Sequence, residues 1–346
     1  MINILELNLK TIKSFKECFD VNGSPKQLEN IEWQFIENPE KKCFVDIAFD
    51  SENKKTAGIY AVSCVKFKIA NSIYVGAQSL DTITDINYRG QGLFTKLAND
   101  VYLKAKDFGI ALVYGFPNGS SIHGFEKKLE WQVLDPLPFL IKPIKSKYFT
   151  DKIRALKFLP NINLSFSKFK VNKKYTLNEV AIFPVEVNEL WKQFSEKIKV
   201  AVVRDKAYLD WRYIQKPNED YKIVHCYDKD EVYLGFVIYS VKEKHNGKIG
   251  YIMELIYNLD NPEVGKTLLK FAINKIKQNN ADCILAWCFR HSPNYNIYKN
   301  MFFINMPEKL RPIELHFGVR SLKDNIKGIT NNRENWFISY SDSDTV

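Results

Sequence analysis

The sequence is poor in the features that assign many proteins at sight. None of its apolar runs approaches the roughly 18 residues that a membrane-crossing helix needs. Its six cysteines, Cys18, Cys43, Cys64, Cys226, Cys283 and Cys288, form no CxxC pair. They read neither as a zinc framework nor as a disulfide scaffold, but as small buried side chains in a reducing compartment. No His/Glu or Cys/His spacing points to a metal, so none is expected. The Walker, Rossmann and GxSxG signatures are all missing, which excludes the most familiar nucleotide-binding loops and the serine-hydrolase elbow. The start, Met1-Ile2-Asn3-Ile4-Leu5-Glu6, lacks a basic region and puts a glutamate where an export signal is apolar, so a cytoplasmic protein is expected.

What is present is an ordinary globular composition, 45% hydrophobic and 26% charged over 346 residues, enough chain for about two domains. Charge is uneven. Between 142 and 174 lie ten basic side chains (Lys142, Lys145, Lys147, Lys152, Arg154, Lys157, Lys168, Lys170, Lys173, Lys174) against Asp151, which accounts for nearly all of the net +10. Such a stretch suits either an anionic partner (a phosphorylated cofactor, RNA or a membrane surface) or a solvated linker. Its interleaved aromatic and aliphatic residues match no nucleic-acid motif.

The chain repeats itself. Ile31-Glu32-Trp33-Gln34-Phe35-Ile36-Glu37-Asn38-Pro39 returns as Leu209-Asp210-Trp211-Arg212-Tyr213-Ile214-Gln215-Lys216-Pro217. Ala57-Gly58-Ile59-Tyr60 returns as Leu234-Gly235-Phe236-Val237, Gly92 as Gly265, and Ala111 to Phe116 as Ile284 to Phe289. Ordered matches with a slowly drifting offset imply two copies of one α/β unit. The expected division is 1–145 and 175–320, joined by a basic connector, 146–174, and followed by a tail, 321–346. The tail, Trp336 to Val346, is expected either to add a strand or to fray. Within the first copy, helical segments are expected first. Strands follow at Phe44 to Phe49, Ile59 to Ile69 and Ser72 to Ile83. Next come a helix from Gly92 to Lys106 with Leu93, Leu97, Val101 and Leu103 as its apolar positions, a buried strand from Ile110 to Phe116, a short helix from Ser120 to Leu129, and a last strand from Trp131 to Ile141. That order gives a mixed sheet with helices on both faces.

The segment that carries chemistry is Arg89-Gly90-Gln91-Gly92, between a strand and a helix. Two glycines let successive N–H groups point one way, and the helix start adds its own unpaired N–H groups and positive dipole end. Together they make a site for a pyrophosphate. In order, the chain gives a strand, Arg89-Gly90-Gln91-Gly92-Leu93-Phe94, a helix, Val113-Tyr114-Gly115-Phe116-Pro117-Asn118, and then Phe125-Glu126-Lys127-Lys128-Leu129-Glu130-Trp131. This arrangement resembles the GCN5-related N-acetyltransferase (GNAT) family. The resemblance implies tandem GNAT-like α/β domains, each with a mixed, partly splayed sheet flanked by helices. It implies that acyl-CoA, most plausibly acetyl-CoA, lies in a V-shaped slot. Thr82, Ile83 and Thr84 of the strand, Arg89, Gly90, Gln91, Gly92, Leu93 and Phe94 of the loop, and Asn118 would then contact it.

Two departures stand out. The last small residue of the family loop is Phe94 here. The family's frequent tyrosine, seven residues beyond the asparagine, is Phe125, which cannot give a proton to the leaving thiolate. Tyr114, His123 and water are the alternative donors; where a side chain and not water takes the proton of the acceptor amine, Asp81, at the strand end, is the expected base, ahead of Asp85. The second copy reads as degenerate: Pro262-Glu263-Val264-Gly265 replaces the loop, with a proline lacking an N–H and a glutamate that repels phosphate. His291 stands where Asn118 would be. The expectation is one acyl-CoA per chain and transfer to a primary amine of a small molecule, with a free or nucleotide-linked amino sugar foremost. The rivals are an aminoacyl-tRNA-dependent cell-wall transferase of duplicated GNAT-like fold, which the basic segment would suit, and a non-catalytic acyl-CoA-binding protein.

Overall fold

A computed structural model describes residues 1–150, 158, 160–165 and 168–346. Strands β1 (Ile2–Glu6), β2 (Cys43–Asp50), β3 (Lys55–Ile69), β4 (Ser72–Thr84), β5 (Leu112–Gly115), β6 (Gln132–Val133) and β7 (Phe139–Pro143) come from the first part of the chain. Helices α1 (Ile12–Val21), α2 (Leu28–Ile31), α3 (Leu93–Phe108), α4 (Ile122–Lys128) and α5 (Lys147–Thr150) are interspersed with them. The second part supplies β8 (Thr176–Glu179), β9 (Val200–Val202), β10 (Lys222–Tyr227), β11 (Tyr233–Lys244), β12 (Gly247–Tyr257), β13 (Cys283–Trp287), β14 (Ile304–Asn305) and β15 (Gly318–Ser321). Its helices are α6 (Val187–Phe194), α7 (Lys206–Leu209), α8 (Pro262–Gln278), α9 (Tyr295–Asn300) and α10 (Asp324–Thr330). No described helix is long and apolar enough to cross a membrane.

The strands form two mixed sheets. One runs β1-β2-β3-β4-β5-β15-β6, with β9 also on β3; the other runs β14-β7-β13-β12-β11-β10-β8. The α/β architecture with helix-flanked mixed sheets is as the sequence implied. Three details differ. A strand, β1, precedes the first helix. On α3, Leu97, Val101 and Ala105 face the core at four-residue spacing while Leu103 is exposed, because two residues past Val101 is the opposite side of a helix. The expected strand 131–141 is two strands in different sheets. Asp135-Pro136-Leu137-Pro138 separates them, and two prolines without N–H groups cannot sustain a ladder.

That break has a large consequence. β7 leaves the first sheet and pairs antiparallel with β13, Leu285 opposite Ile141. In return β15 pairs antiparallel with β5, Val319 opposite Tyr114. Each half of the chain therefore completes the other's sheet, and the sheets do not part company at residue 145. The Trp33 and Trp211 segments of the sequence repeat meet where the halves join. Trp33 and Trp211 sit in matching π-helical turns, Glu32–Ile36 and Asp210–Ile214. Their rings stack with centroids 4.5 Å apart. Each indole N–H donates to the other residue's carbonyl, at 2.8 and 3.0 Å. Such an aromatic pair adds about 0.5–1.5 kcal/mol beyond its buried area.

The tail neither frays nor forms a strand of either sheet. Trp336, Phe337, Ile338, Tyr340, Ser341 and Asp342 are all buried, and the segment passes between the two halves. The Arg204 guanidinium, fully buried, bonds Glu254 of β12 at 3.0 Å and Asp342 at 2.6 Å. From the first sheet, Gln78 Nε2 donates to the Asp342 carbonyl at 2.8 Å. Arg212 Nη2 donates to the Ser343 carbonyl at 2.7 Å. Of the basic stretch 142–174, Asp151, Lys152, Arg154 and Lys157 lie outside the described residues. Two other members are used structurally: Lys142 is buried on β7 and donates to the Met301 carbonyl, and Lys145 pairs with Asp282 at 3.2 Å.

Candidate active site

β4 and β5 run parallel for only three rungs, Ala77 with Val113, Gln78 with Tyr114 and Ser79 with Gly115. Beyond Ser79, β4 stays with β3, while the chain after Gly115 turns toward Leu315 and His316. The strands splay into a slot of about 850 Å³ whose walls include Leu80 to Thr84, Phe116 to Asn118, Phe94 and Phe125. The splay leaves alternate backbone groups of β4 without a ladder partner.

A β-bulge shapes this edge. Ile59 faces Ile83 and Ala61 faces Leu80, so Asp81 and Thr82 together oppose the single residue Tyr60. Asp81 takes a left-handed φ of 50°. A bulge re-aims side chains, and here Thr82 has a buried hydroxyl with no hydrogen-bond partner.

At the open end, Gly90 and Gly92 have φ of 80° and 76°, which L side chains adopt only with strain. The first bond into α3 is Lys96 N–H to the Gly92 carbonyl. The amides of Leu93, Phe94 and Thr95 are therefore left for a ligand at the positive end of a 16-residue helix. Ideal Cβ atoms built on Gly90 or Gly92 meet nothing within 4 Å, so the glycines serve conformation and ligand approach, not internal packing. The Arg89 Nε donates to the Thr84 carbonyl at 3.3 Å, tying loop to strand. A pyrophosphate fits this donor set.

Most residues expected from sequence converge here. Asp81, Thr82, Ile83, Thr84, Arg89, Gly90, Gly92, Leu93, Phe94 and Asn118 all line the slot. Gln91 is exposed and is not among the lining residues. The Asn118 side-chain oxygen is engaged locally, accepting from the amides of Ser120 and Ser121 at 3.1 and 3.0 Å. Asp85 is buried at the foot of the loop and caps it, accepting from the Asn87 amide at 2.9 Å.

Both expected side-chain proton donors are elsewhere. α4 presents Ser121, Gly124, Phe125 and Lys128 to the slot, the i, i+3, i+4, i+7 pattern of one helix face. His123 falls off that face and is exposed. Tyr114 is buried on the side of β5 away from α3. It packs on Phe67, Phe116 and Trp336, and its hydroxyl donates to the Asp342 carbonyl at 3.3 Å. Burial among these rings raises its phenol well above the ordinary tyrosine range. His291 also has a structural post: its Nε2 meets the Trp336 carbonyl at 2.8 Å and its Nδ1 meets Glu334 at 2.8 Å, holding the tail.

Asp81 is in place but not alone. Its Oδ1 lies 2.6 Å from Lys26 Nζ. Burial raises its carboxyl above the usual range; Lys26 opposes that rise and the neighbouring Asp344 adds to it. Asp344 lines the slot too, and among the described residues it has no ion pair within 4 Å. Nothing local in the sequence announces it, since it arrives on the threaded tail.

In the second half the matching opening is bridged. Asn294 Nδ2 donates to the Leu255 carbonyl at 2.8 Å, and the Tyr257 hydroxyl to the Pro293 carbonyl at 3.4 Å. Pro262 opens α8 where the first half has its glycine loop.

Comparisons with known proteins agree with this geometry. Residues 9–133 match the family model described as an acetyltransferase (GNAT) domain. No curated protein matches the sequence. Among solved structures, the fold is similar to a conserved protein of unknown function from Enterococcus faecalis V583, described as a probable N-acyltransferase (TM-score 0.61, 12% identity, 94% of this chain and 74% of that one). It is also similar to Saccharomyces cerevisiae N-myristoyltransferase with bound myristoyl-CoA (TM-score 0.63, 12% identity, 92% and 82% covered). A third is a GCN5-related N-acetyltransferase from Anabaena variabilis ATCC 29413 (TM-score 0.63, 14% identity, 93% and 73% covered). Residues 9–133 thus carry the sequence pattern of a GNAT domain, and the chain as a whole has a GNAT-like fold.

Proposed function

We propose that the protein is an N-acyltransferase that moves an acyl group, acetyl foremost, from coenzyme A to a primary amine of a small molecule. The observation that carries this reading is the glycine loop with three free helix amides at the mouth of the β4/β5 splay. The close packing of Phe125 against Tyr60 and Trp131 beside the Ser79 rung favours a short acyl group. Within this reading, the unladdered β4 backbone polarises the thioester carbonyl. The acceptor nitrogen attacks that carbon from the side of Asp81 and Asp344. Asp81 and Asp344 set two carboxylates against Lys26, a local excess of negative charge that draws an ammonium and takes its proton, while Arg89 and Lys128 are the basic residues of the slot lining. Titration with acetyl-CoA followed by thiol release across a panel of amines, amino sugars included, tests the assignment. Binding at one site per chain with release dependent on one amine class is expected; no binding overturns it.

The two carboxylates should separate kinetically. Asp344→Asn removes the unpaired anion and is expected to raise KM for the amine about ten- to hundredfold, the worth of a charged hydrogen bond, with acetyl-CoA affinity unchanged. Asp81→Asn is expected to lower kcat about tenfold or more near neutral pH, and less at high pH where free amine is abundant. Asparagine tolerates the left-handed backbone there. Full kcat across the pH range would make Asp81 only the counter-ion of Lys26.

A further inference from the structure

We propose that Ser79 is the group that receives the leaving thiolate, its hydroxyl aimed into the slot by a polarised chain of buried hydrogen bonds. This rests on the acyl-CoA reading above. The need for such a group comes from Phe125, which has no proton to offer, and from the positions of Tyr114 and His123 away from the slot.

The direction of the chain follows from what each atom can do. The Trp131 indole N–H is a donor only, and it donates to the Tyr102 hydroxyl at 2.9 Å. Tyr102 Oη therefore accepts there, and its own proton needs another partner inside the core. The oxygen at hand is Tyr60 Oη. Tyr60 Oη, having accepted, sends its proton to Ser79 Oγ, 3.0 Å away. Ser79 Oγ accepts in turn and has no other hydrogen-bond partner among the described residues. Its proton is left for the slot, which Ser79 lines. Burial raises both phenols above the ordinary range, so each keeps the proton the chain requires.

The position suits the sulfur. Ser79 and Gly115 form the last paired rung before the splay. A Cβ on Gly115 would come within 2.9 Å of the Ser79 carbonyl, so the backbones approach closely at this point. From the end of β4 at Thr84 back to Ser79 is five residues, about 16 Å of strand. The pantetheine arm, with two amide groups in an extended chain, reaches about the same distance. Pyrophosphate at the α3 amides therefore brings the sulfur to Ser79. When the C–S bond breaks, its electron pair goes to sulfur and Ser79 Oγ–H donates a hydrogen bond to it. The proton that sulfur finally keeps is the one given up by the acceptor nitrogen, delivered through solvent, so the serine is unchanged.

Coenzyme A itself is the probe, which removes any need to know the acceptor. Its bound thiol is titrated by the ultraviolet absorbance of the thiolate. In the unaltered protein it is expected to ionise at lower pH than free in solution, because a donor stabilises the charged form. Ser79→Ala should raise the bound thiol by about one pH unit, tenfold in proton affinity, with calorimetry showing CoA still bound. Ser79→Thr should restore the shift, and Tyr60→Phe, which leaves the serine but cuts the chain behind it, should give an intermediate value. Equal thiol titration in Ser79→Ala and the unaltered protein, both saturated with CoA, overturns the role of Ser79 while leaving the acyl-CoA reading intact. Failure of the unaltered protein to bind CoA overturns both.

Discussion

Replacing Gly92 with aspartate is expected to abolish acetyl-CoA binding while leaving the fold nearly as stable as before. The two effects part because the substitution pulls in opposite directions. The left-handed φ of 76° costs an L residue about 1–2 kcal/mol. Against this, aspartate is a favoured N-cap and its charge suits the positive end of α3, worth about 1 kcal/mol. No protein atom stands within 4 Å of the new Cβ. The ligand meets a different situation, since the carboxylate enters the space the pyrophosphate needs and repels it. A loss of at least about a hundredfold in affinity, about 2.7 kcal/mol, is expected by calorimetry, and Gly92→Ala should lose less. Unchanged affinity in Gly92→Asp, or two equivalent sites per chain, would remove the loop from the site.

Arg204→Met should be the most damaging single change to stability, and its damage should depend on pH. Arg204 is 0% exposed and neutralises two buried carboxylates, Glu254 and Asp342. Methionine fills similar space but leaves both carboxylates uncompensated, a loss of about 3–5 kcal/mol. Glu254 already has its carboxyl pushed up by burial, with Arg204 holding it down. Without the arginine it rises further. An acid whose folded pKa exceeds its unfolded one binds more protons when folded, so stability grows as pH falls through that range. Urea unfolding should therefore show the full deficit near pH 7 and a smaller one near pH 5. An equal deficit at both values would mean that packing, and not charge, is what the arginine supplies. The same variant should unseat the tail and weaken the amine acceptor through Asp344.

The loop from Arg89 to Phe94 was legible because its chemistry is local: two glycines, a strand before and a helix after leave few alternatives. The Trp33 and Trp211 segments were legible as a repeat, although the reason for their likeness, a reciprocal indole pair, exists only in three dimensions. His123 could have been set aside from sequence, because two residues before Phe125, the position the resemblance directs into the slot, is the opposite side of a helix. Tyr114 could not. A strand buried on both sides carries no alternation, so nothing told which way its ring points. The exchange of β7 and β15 was hidden for a related reason: pairing partners of a short apolar strand are set by the whole fold, not by the strand. Asp344 and Ser79 were invisible in the same way, one brought by a distant tail and the other distinguished only by the hydroxyls stacked behind it.

The exchanged strands bear on how the chain is made. β5 is complete by Gly115, but its antiparallel neighbour begins at Gly318. At a synthesis rate of about 5–20 residues per second, the roughly 200 intervening residues keep that edge waiting about 10–40 s. Through that interval the nascent first half presents unpaired backbone beside the slot, the kind of template on which strands from other chains add. A chain stalled or truncated before β15 is thus not a shorter enzyme but a half-sheet with an open seam. On a ribosome, the first half can collapse early yet closes its sheet only after the second half has emerged.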